Sequence, residues 1–239
     1  MAVPGSSASI LQYTSFGETW YRGATVSLAQ RFAGQHDWAI SYTLSKAEDN
    51  STDYQSAFLP QDTGTGRDPR DPFGLPLGFD PDAERGPSVQ DQRHRLVVNG
   101  SYLLPSRVQL FSIATIASGR PYTVLAGADL NGDGNGGAFP PDRARRVPRD
   151  AASSLRRNTH TLPMLATVDV RVTRRFPLRG RVSIEGIVEV FNLLNRANFV
   201  EINNIFGVGA FPTEPLPTFG RFERAGPPLQ AQLAAKVSF

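Results

Sequence analysis

Apolar and polar residues alternate with period two along most of this chain, and that period dictates extended backbone wherever it occurs. Residues 165–176 read Leu-Ala-Thr-Val-Asp-Val-Arg-Val-Thr-Arg-Arg-Phe. Val168, Val170 and Val172 fall on one side; Asp169, Arg171 and Thr173 fall on the other. Successive side chains of a strand point to opposite faces, so the spacing predicts a strand with one apolar and one ionic face. Residues 181–193 set Val182, Ile184, Gly186, Val188 and Val190 against Ser183, Glu185, Ile187, Glu189 and Phe191. Residues 229–239 set Leu229, Ala231, Leu233, Ala235, Val237 and Phe239 against Gln230, Gln232, Ala234, Lys236 and Ser238. Residues 21–32, 36–47 and 91–104 repeat the pattern around Val26 and Leu28, Ile40 and Tyr42, and Leu96 and Val98. A less regular run, 108–118, puts Phe111, Ile113, Thr115 and Ala117 on one face, and residues 9–16 are an eighth candidate. None of the 19 prolines interrupts these runs, as expected of a residue that cannot donate to a β-ladder.

The connections constrain the topology further. Short ones fall around residues 33–35, 105–107 and 177–180, and they alternate with long ones at 48–90, 119–164 and 194–228. In an antiparallel meander every short turn then lies on one edge and every long loop on the other, the arrangement of outer-membrane barrels. Structureless loops of that length are uncommon in compact soluble domains. The runs also exceed the usual strand of about 5–6 residues and suit a tilted crossing of hydrocarbon. Phe32, Trp38, Tyr102, Phe176 and Phe239 gather near the short turns, with Trp20 and Tyr21 at the other end of one run, as interfacial aromatic girdles would. The face opposite the apolar one carries Arg31, Asp169, Arg171, Glu185 and Glu189. A small soluble barrel fills its interior with side chains, whereas a wide wet lumen tolerates charge.

The expected fold is therefore all-β: an antiparallel transmembrane β-barrel portion of about seven or eight strands. Residues 1–19 are expected to form a loop or partial strand and 20–239 the C-terminal part of the barrel. The alternative is a soluble or surface-attached β-rich binding or adhesion protein that works through its long loops.

Composition removes other classes. The chain has no cysteine, which excludes disulfide scaffolds, thiol nucleophiles and thiolate metal sites, and His36, His94 and His160 are far apart. No run of 18 apolar residues offers a membrane helix, and Met1-Ala2-Val3-Pro4-Gly5 carries no export signal of the basic-then-apolar kind. The formal charge of +3 is scattered, with only Lys46 and Lys236 among the cations not arginine. Nucleic acid is not an expected partner. His94 stands between Arg93 and Arg95, which disfavours a proton-accepting role, and no nucleophile, base and orienting group recur together. An enzyme is not expected.

Five ordered motifs add a resemblance. They are Tyr21-Arg22-Gly23-Ala24-Thr25-Val26-Ser27-Leu28 with Ser41-Tyr42-Thr43-Leu44-Ser45-Lys46; Asp91-Gln92-Arg93-His94-Arg95; Ser118-Gly119-Arg120-Pro121-Tyr122-Thr123-Val124; Glu189-Val190-Phe191-Asn192-Leu193-Leu194-Asn195-Arg196-Ala197-Asn198-Phe199; and the terminal Phe239. In this order they resemble the C-terminal barrel of TonB-dependent outer-membrane receptors, in the Oar-like branch that carries a carboxypeptidase-regulatory-like domain. The resemblance implies a plugged barrel of about 22 strands that imports scarce nutrients with energy from an inner-membrane partner. With seven or eight strands and no plug, this chain is expected to be the C-terminal third of such a receptor or a truncated gene product. Period and composition give no reason for the Phe-Asn-Leu-Leu-Asn stretch.

Expected partners follow from these readings: outer-membrane lipid, the remaining strands and plug, and an unidentified small-molecule or peptide ligand. The barrel-assembly machinery joins them, because a terminal strand bearing Leu233, Val237 and Phe239 offers an open edge to strand addition. An ordinary terminal strand is the alternative.

Three loop features carry chemistry. Asp129, Asn131, Asp133 and Asn135 alternate around Gly134, copying the first half of a calcium loop. Pro140 occupies the place of the usual bidentate Glu, and Asp142 is the nearest substitute. The alternative is a Gly/Asn turn without metal; no other cofactor is expected. Ten acidic residues against three arginines between Ala47 and Asp91 suit a solvated loop or a cation-collecting mouth. Arg143, Arg145, Arg146, Arg149, Arg156 and Arg157 suit an exposed loop or a surface for acidic glycans and lipopolysaccharide phosphates.

Overall fold

The computed structural model describes residues 17–32, 36–50, 85–128, 130 and 142–239. In chain order the strands are β1 (Thr19–Phe32), β2 (His36–Asp49), β3 (Gly86–Pro87), β4 (His94–Leu104), β5 (Val108–Ala117), β6 (Pro121–Tyr122), β7 (His160–Thr161), β8 (Leu165–Pro177), β9 (Ser183–Phe191), β10 (Phe199–Ile202), β11 (Phe222–Ala225) and β12 (Gln230–Ser238). Every predicted run among the described residues is one of the long strands. The eighth candidate, 9–16, and the turn at 33–35 lie outside the described residues.

The long strands form one sheet in the order β1-β2-β4-β5-β8-β9-β12, with β3 appended to β2. Every neighbouring pair is antiparallel. The sheet is a meander and does not close: among the described residues β1 pairs only with β2, and β12 only with β9. Two of its turns are tight. Ser106 and Arg107 take φ of 66° and 58° between β4 and β5. Between β8 and β9 the Leu178 N–H donates to the Val182 carbonyl at 2.9 Å, with Gly180 at φ 72°.

Register sorts the side chains by face. One apolar row runs Tyr102, Leu110, Val172, Val188, Leu233 and a second runs Val26, Tyr42, Leu96, Ile116, Ala166. The alternate rows are polar: Thr25 opposes Thr43, Arg171 opposes Glu189, and Glu189 opposes Gln232. Nothing among the described residues covers the apolar face. Val26 is 71% exposed and Leu233 80%, and in the seven long strands the buried apolar residue is Ala117. Val168 and Val188 meet no second layer, and the soluble alternative falls with that, because so much uncovered apolar surface is not stable in water.

Two expectations are corrected. In β5 the apolar face holds Leu110, Ala114 and Ile116, whose neighbours are Val172, Val168 and Ala166; Phe111 and Ile113 lie on the polar face opposite Arg171 and Asp169. Both parities of β5 carry apolar residues, so period alone could not choose. Tyr21 likewise shares the polar face of Gly23 and Thr25, and only Trp20 marks the apolar side at that end.

The buried core is in the loops. Tyr122, Val124, Ala144, Leu155, Leu162, Ile202 and Phe206 pack together with Phe211 and Phe219 against them, Val124 at 0% and Phe206 at 1% exposure. The long connections, expected to be structureless, contain the short antiparallel pairs β6-β7 and β10-β11 and cross-link each other. Leu125 donates to Asn204 at 3.0 Å, and Phe206 donates back to Leu125 at 2.7 Å.

Candidate functional site: a polar wall beneath a knitted loop cap

The motifs behind the resemblance lie where long strands meet the loop edge, and hydrogen bonding accounts for their composition. Asp91 Oδ1 accepts the Ala47 N–H at 2.8 Å, the Arg93 carbonyl accepts the Ser45 N–H at 3.0 Å, and Ser118 Oγ accepts the His94 N–H at 3.1 Å. This stitches β2, β4 and β5 together. Gly119 crosses the Leu162 carbonyl so closely that a Cβ would lie 1.7 Å from its oxygen; only glycine fits.

The Phe-Asn-Leu-Leu-Asn stretch acquires a physical reason. Asn192 and Asn195 take φ of 48° and 46°, a left-handed conformation that asparagine tolerates better than most residues. The buried Asn192 amide donates to the carbonyls of Arg196 and Pro227, both at 3.0 Å, while its backbone N–H reaches Asp169 Oδ1 at 2.8 Å. Asn198 Oδ1 accepts the Ala166 N–H at 2.7 Å, and its Nδ2 donates to the Ala166 carbonyl at 2.9 Å. That carboxamide occupies the place a strand residue would take beside β8.

The cap is tied to the sheet by a buried charge pair that no sequence signal announced. Arg157 Nη2 bonds Asp49 Oδ1 and also donates to the Asp49 carbonyl at 2.9 Å, with Arg157 only 3% exposed. Burial lowers the Arg157 guanidinium to about 10, so it keeps its charge at neutral pH with Asp49 as counter-ion. Beside it Asn158 donates to the Pro87 carbonyl at 2.9 Å and accepts from Thr123 Oγ1 at 2.9 Å, while Asn204 donates to the Thr123 carbonyl at 2.7 Å. Segments far apart in sequence thus close into one cap. Burial also raises the Tyr122 hydroxyl above its ordinary range, and burial with the Arg146 charge lowers the His160 imidazole.

Below the cap the polar face is a wall of short cross-strand bonds. Thr25 and Thr43 hydroxyls meet at 2.9 Å, Ser27 and Ser41 at 3.0 Å, Arg171 and Glu189 at 3.5 Å, and Gln232 donates to Glu189. Phe111, Ile113 and Phe191 stand on this wall beside Asp169, Arg171 and Glu189 and line a cavity of about 510 Å³. Such a surface suits the passage or retention of solutes in water.

Only some of the predicted site residues are among those described. Asp129, Asn131, Asp133 and Asn135 lie outside the described residues. Asp142 is buried and accepts the Leu130 N–H at 2.5 Å. Among the described residues no group of three His, Asp or Glu is placed to hold a metal. Most of the acidic stretch is also undescribed, but Asp49 and Asp91 are buried rather than solvated. The arginine cluster is split. Arg143, Arg145 and Arg157 are buried while Arg146, Arg149 and Arg156 are exposed, so only half of it is the exposed loop expected. His94 stacks on Tyr42, whose hydroxyl meets its Nδ1 at 2.7 Å. Leu233 and Val237 are exposed on the apolar face of the edge strand, followed by the exposed Phe239.

A sheet with a bare apolar face and an ionic opposite face is the wall of a membrane-spanning β-barrel. From Trp38 to Glu48, the partner of Trp20, β2 rises about 34 Å at about 3.4 Å per residue, or roughly 26 Å at a tilt of about 40°. Outer-membrane barrels carry an apolar band of roughly 25 Å. The chain belongs to the outer-membrane β-barrel domain family, whose model, described as an outer membrane beta barrel domain, matches residues 3–232. Its location is the bacterial outer membrane. No curated protein and no solved structure matches the chain.

Proposed function

We propose that this sheet is the C-terminal wall of a TonB-dependent outer-membrane receptor for nutrient uptake, with the loop cap outside the cell and the tight turns in the periplasm. The ionic inner face is the observation that carries the reading. Asp169, Arg171, Glu185 and Glu189 fit a wide wet lumen better than the narrow, side-chain-filled interior of eight strands or fewer. Strand parity is compatible with it, as it is with any even-stranded barrel. Across seven antiparallel neighbours β1 and β12 run the same way, so an antiparallel barrel closes only with an odd number of added strands. A plugged transporter of about 22 strands leaves about 15, which is odd. The apolar face and the open edge of β12 fit assembly by the barrel-insertion machinery, and the wall and cap fit a solute ligand rather than a reaction.

The test is crosslinking in intact, energised host cells between the protein carrying this sheet and the inner-membrane energy transducer, followed by isolation of that protein from the outer membrane. The expected product holds the sheet, further strands and a plug, and its crosslink is lost when a protonophore collapses the gradient. A plugless product with no crosslink overturns the reading.

A further inference from the structure

Arg145 is 6% exposed, its Nε is buried without a hydrogen-bond partner, and no ion pair among the described residues reaches its guanidinium. Its neighbours differ. Arg157 is answered by Asp49, and Arg143 donates to the Leu155 carbonyl at 3.3 Å. Glu214 accepts the Ala210 N–H at 3.1 Å, and the buried Asp142 accepts from Leu130. The Arg145 backbone is fixed, since its carbonyl accepts the Phe211 N–H at 3.0 Å and the residue bridges to Ser154. Ala144 is in the apolar core, so alternation sends Arg143 and Arg145 together to the other side. Arg146 follows directly, close enough for its charge to bear on His160.

A buried cation without a counter-charge is strongly destabilising, and an unsatisfied buried group calls for an ion or ligand outside the chain. We propose that Arg145 anchors an oxyanion site in the loop cap that takes a phosphate group. The guanidinium fork matches phosphate geometry, and Arg143, on the same side of the backbone, adds a second positive charge that favours an ion with more than one negative charge over a single carboxylate. The phosphate belongs either to a solute in the medium or to a lipid headgroup. The inference concerns the cap alone and does not rest on the uptake reading.

The experiment follows thermal unfolding of the protein that carries this sheet, extracted from outer membranes into dodecylmaltoside micelles. It compares inorganic phosphate, kept at low millimolar concentration where its general salting-out effect is negligible, with chloride at equal ionic strength. A ligand that binds only the folded form raises the midpoint. The expected result is an upward shift of several degrees in phosphate for the parent chain and none for Arg145→Met, with the variant at least as stable as the parent in chloride. A second arm uses phosphatidylcholine vesicles with and without phosphatidic acid. A shift with inorganic phosphate assigns the site to a solute, and a shift only with phosphatidic acid assigns it to a headgroup. No shift in either arm, or a shift retained in Arg145→Met, overturns the proposal. If Arg145→Met and Arg145→Gln both fail to fold in chloride, the guanidinium is a structural brace and the proposal falls.

Discussion

Asn198 offers a side-chain amide where the sheet has run out of backbone, and this makes the loop edge of β8 depend on one residue. Both polar groups of Ala166 are satisfied by that carboxamide. Replacing Asn198 by Ala strands a donor and an acceptor at once, at a cost of about 1–3 kcal/mol. The check is urea unfolding of the micellar protein, with Asn198→Gln as the companion variant: its longer side chain cannot restore both bonds, and a full rescue by Gln would sink the account. Gly119→Ala is expected to cost at least as much, about 1–3 kcal/mol or more, because the obstruction is the Leu162 carbonyl rather than a flexible side chain. A neutral Gly119→Ala in the same assay would mean that β5 and the segment after β7 do not touch in the native protein.

At the scale of elements, the two faces of a strand answer to different solvents. Val188 is on the apolar face and Gln232 on the polar one, one strand apart. Val188→Lys is expected to destabilise the membrane-inserted protein by about 2–4 kcal/mol, the range for a cation near the bilayer midplane, while Gln232→Lys changes little. Equal effects in reversible unfolding from vesicles would refute the assignment of faces. The cap answers to pH instead. His160 in β7 packs against Tyr122 and Phe211 with ring centroids at 5.8 and 5.4 Å, and burial and Arg146 hold its imidazole below the ordinary value of 6.5. The unfolded cap therefore binds this proton more readily than the folded one. The contribution is complete above pH 6.5 and drains as the pH falls through the lowered value. The protection factors of the Leu162 and Phe211 amides, corrected for the slower intrinsic exchange at lower pH, should fall on acidification and lose that dependence in His160→Gln; unchanged protection factors at pH 5 would remove the effect. These elements differ in how far sequence exposes them. Val168, Val170 and Val172 declare a strand because one solvent acts on each face, a local rule that period captures. Phe111 and Ile113 break it, and only their register with Arg171 and Asp169 places them. The cap was illegible because its bonds, such as Arg157 to Asp49 and Asn204 to Thr123, join residues whose proximity no local pattern encodes. The asparagine motif stood out in the sequence, yet its meaning needed the left-handed backbone at Asn192 and Asn195.

For the whole molecule, the open question is what meets the edges of β1 and β12. An unpaired edge is not stable in hydrocarbon, where no water satisfies its N–H and C=O groups, so both edges must find strands in the membrane. Direct closure of this sheet on itself joins β1 to β12 in parallel, since they point the same way. It also wraps seven strands around Arg171, Glu185, Glu189 and Lys236, leaving ionic groups in an interior too narrow for the water they need. Both costs disappear when further antiparallel strands intervene. The chain has no native cysteine, so introduced pairs report distance without background. Ala24→Cys, Val26→Cys and Leu28→Cys, each combined with Leu233→Cys, sample the height of the apolar face along both edges. A disulfide needs Cα atoms within about 7 Å, a separation that adjacent strands reach and strands on opposite sides of a gap do not. Mild oxidation in native outer membranes is therefore expected to leave all three pairs reduced, whereas Val188→Cys with Leu233→Cys, paired across β9 and β12, oxidises as the positive control. Efficient bridging in any β1–β12 pair would show a barrel closed by this sheet alone, and the wide lumen inferred from its charged wall would have to be abandoned.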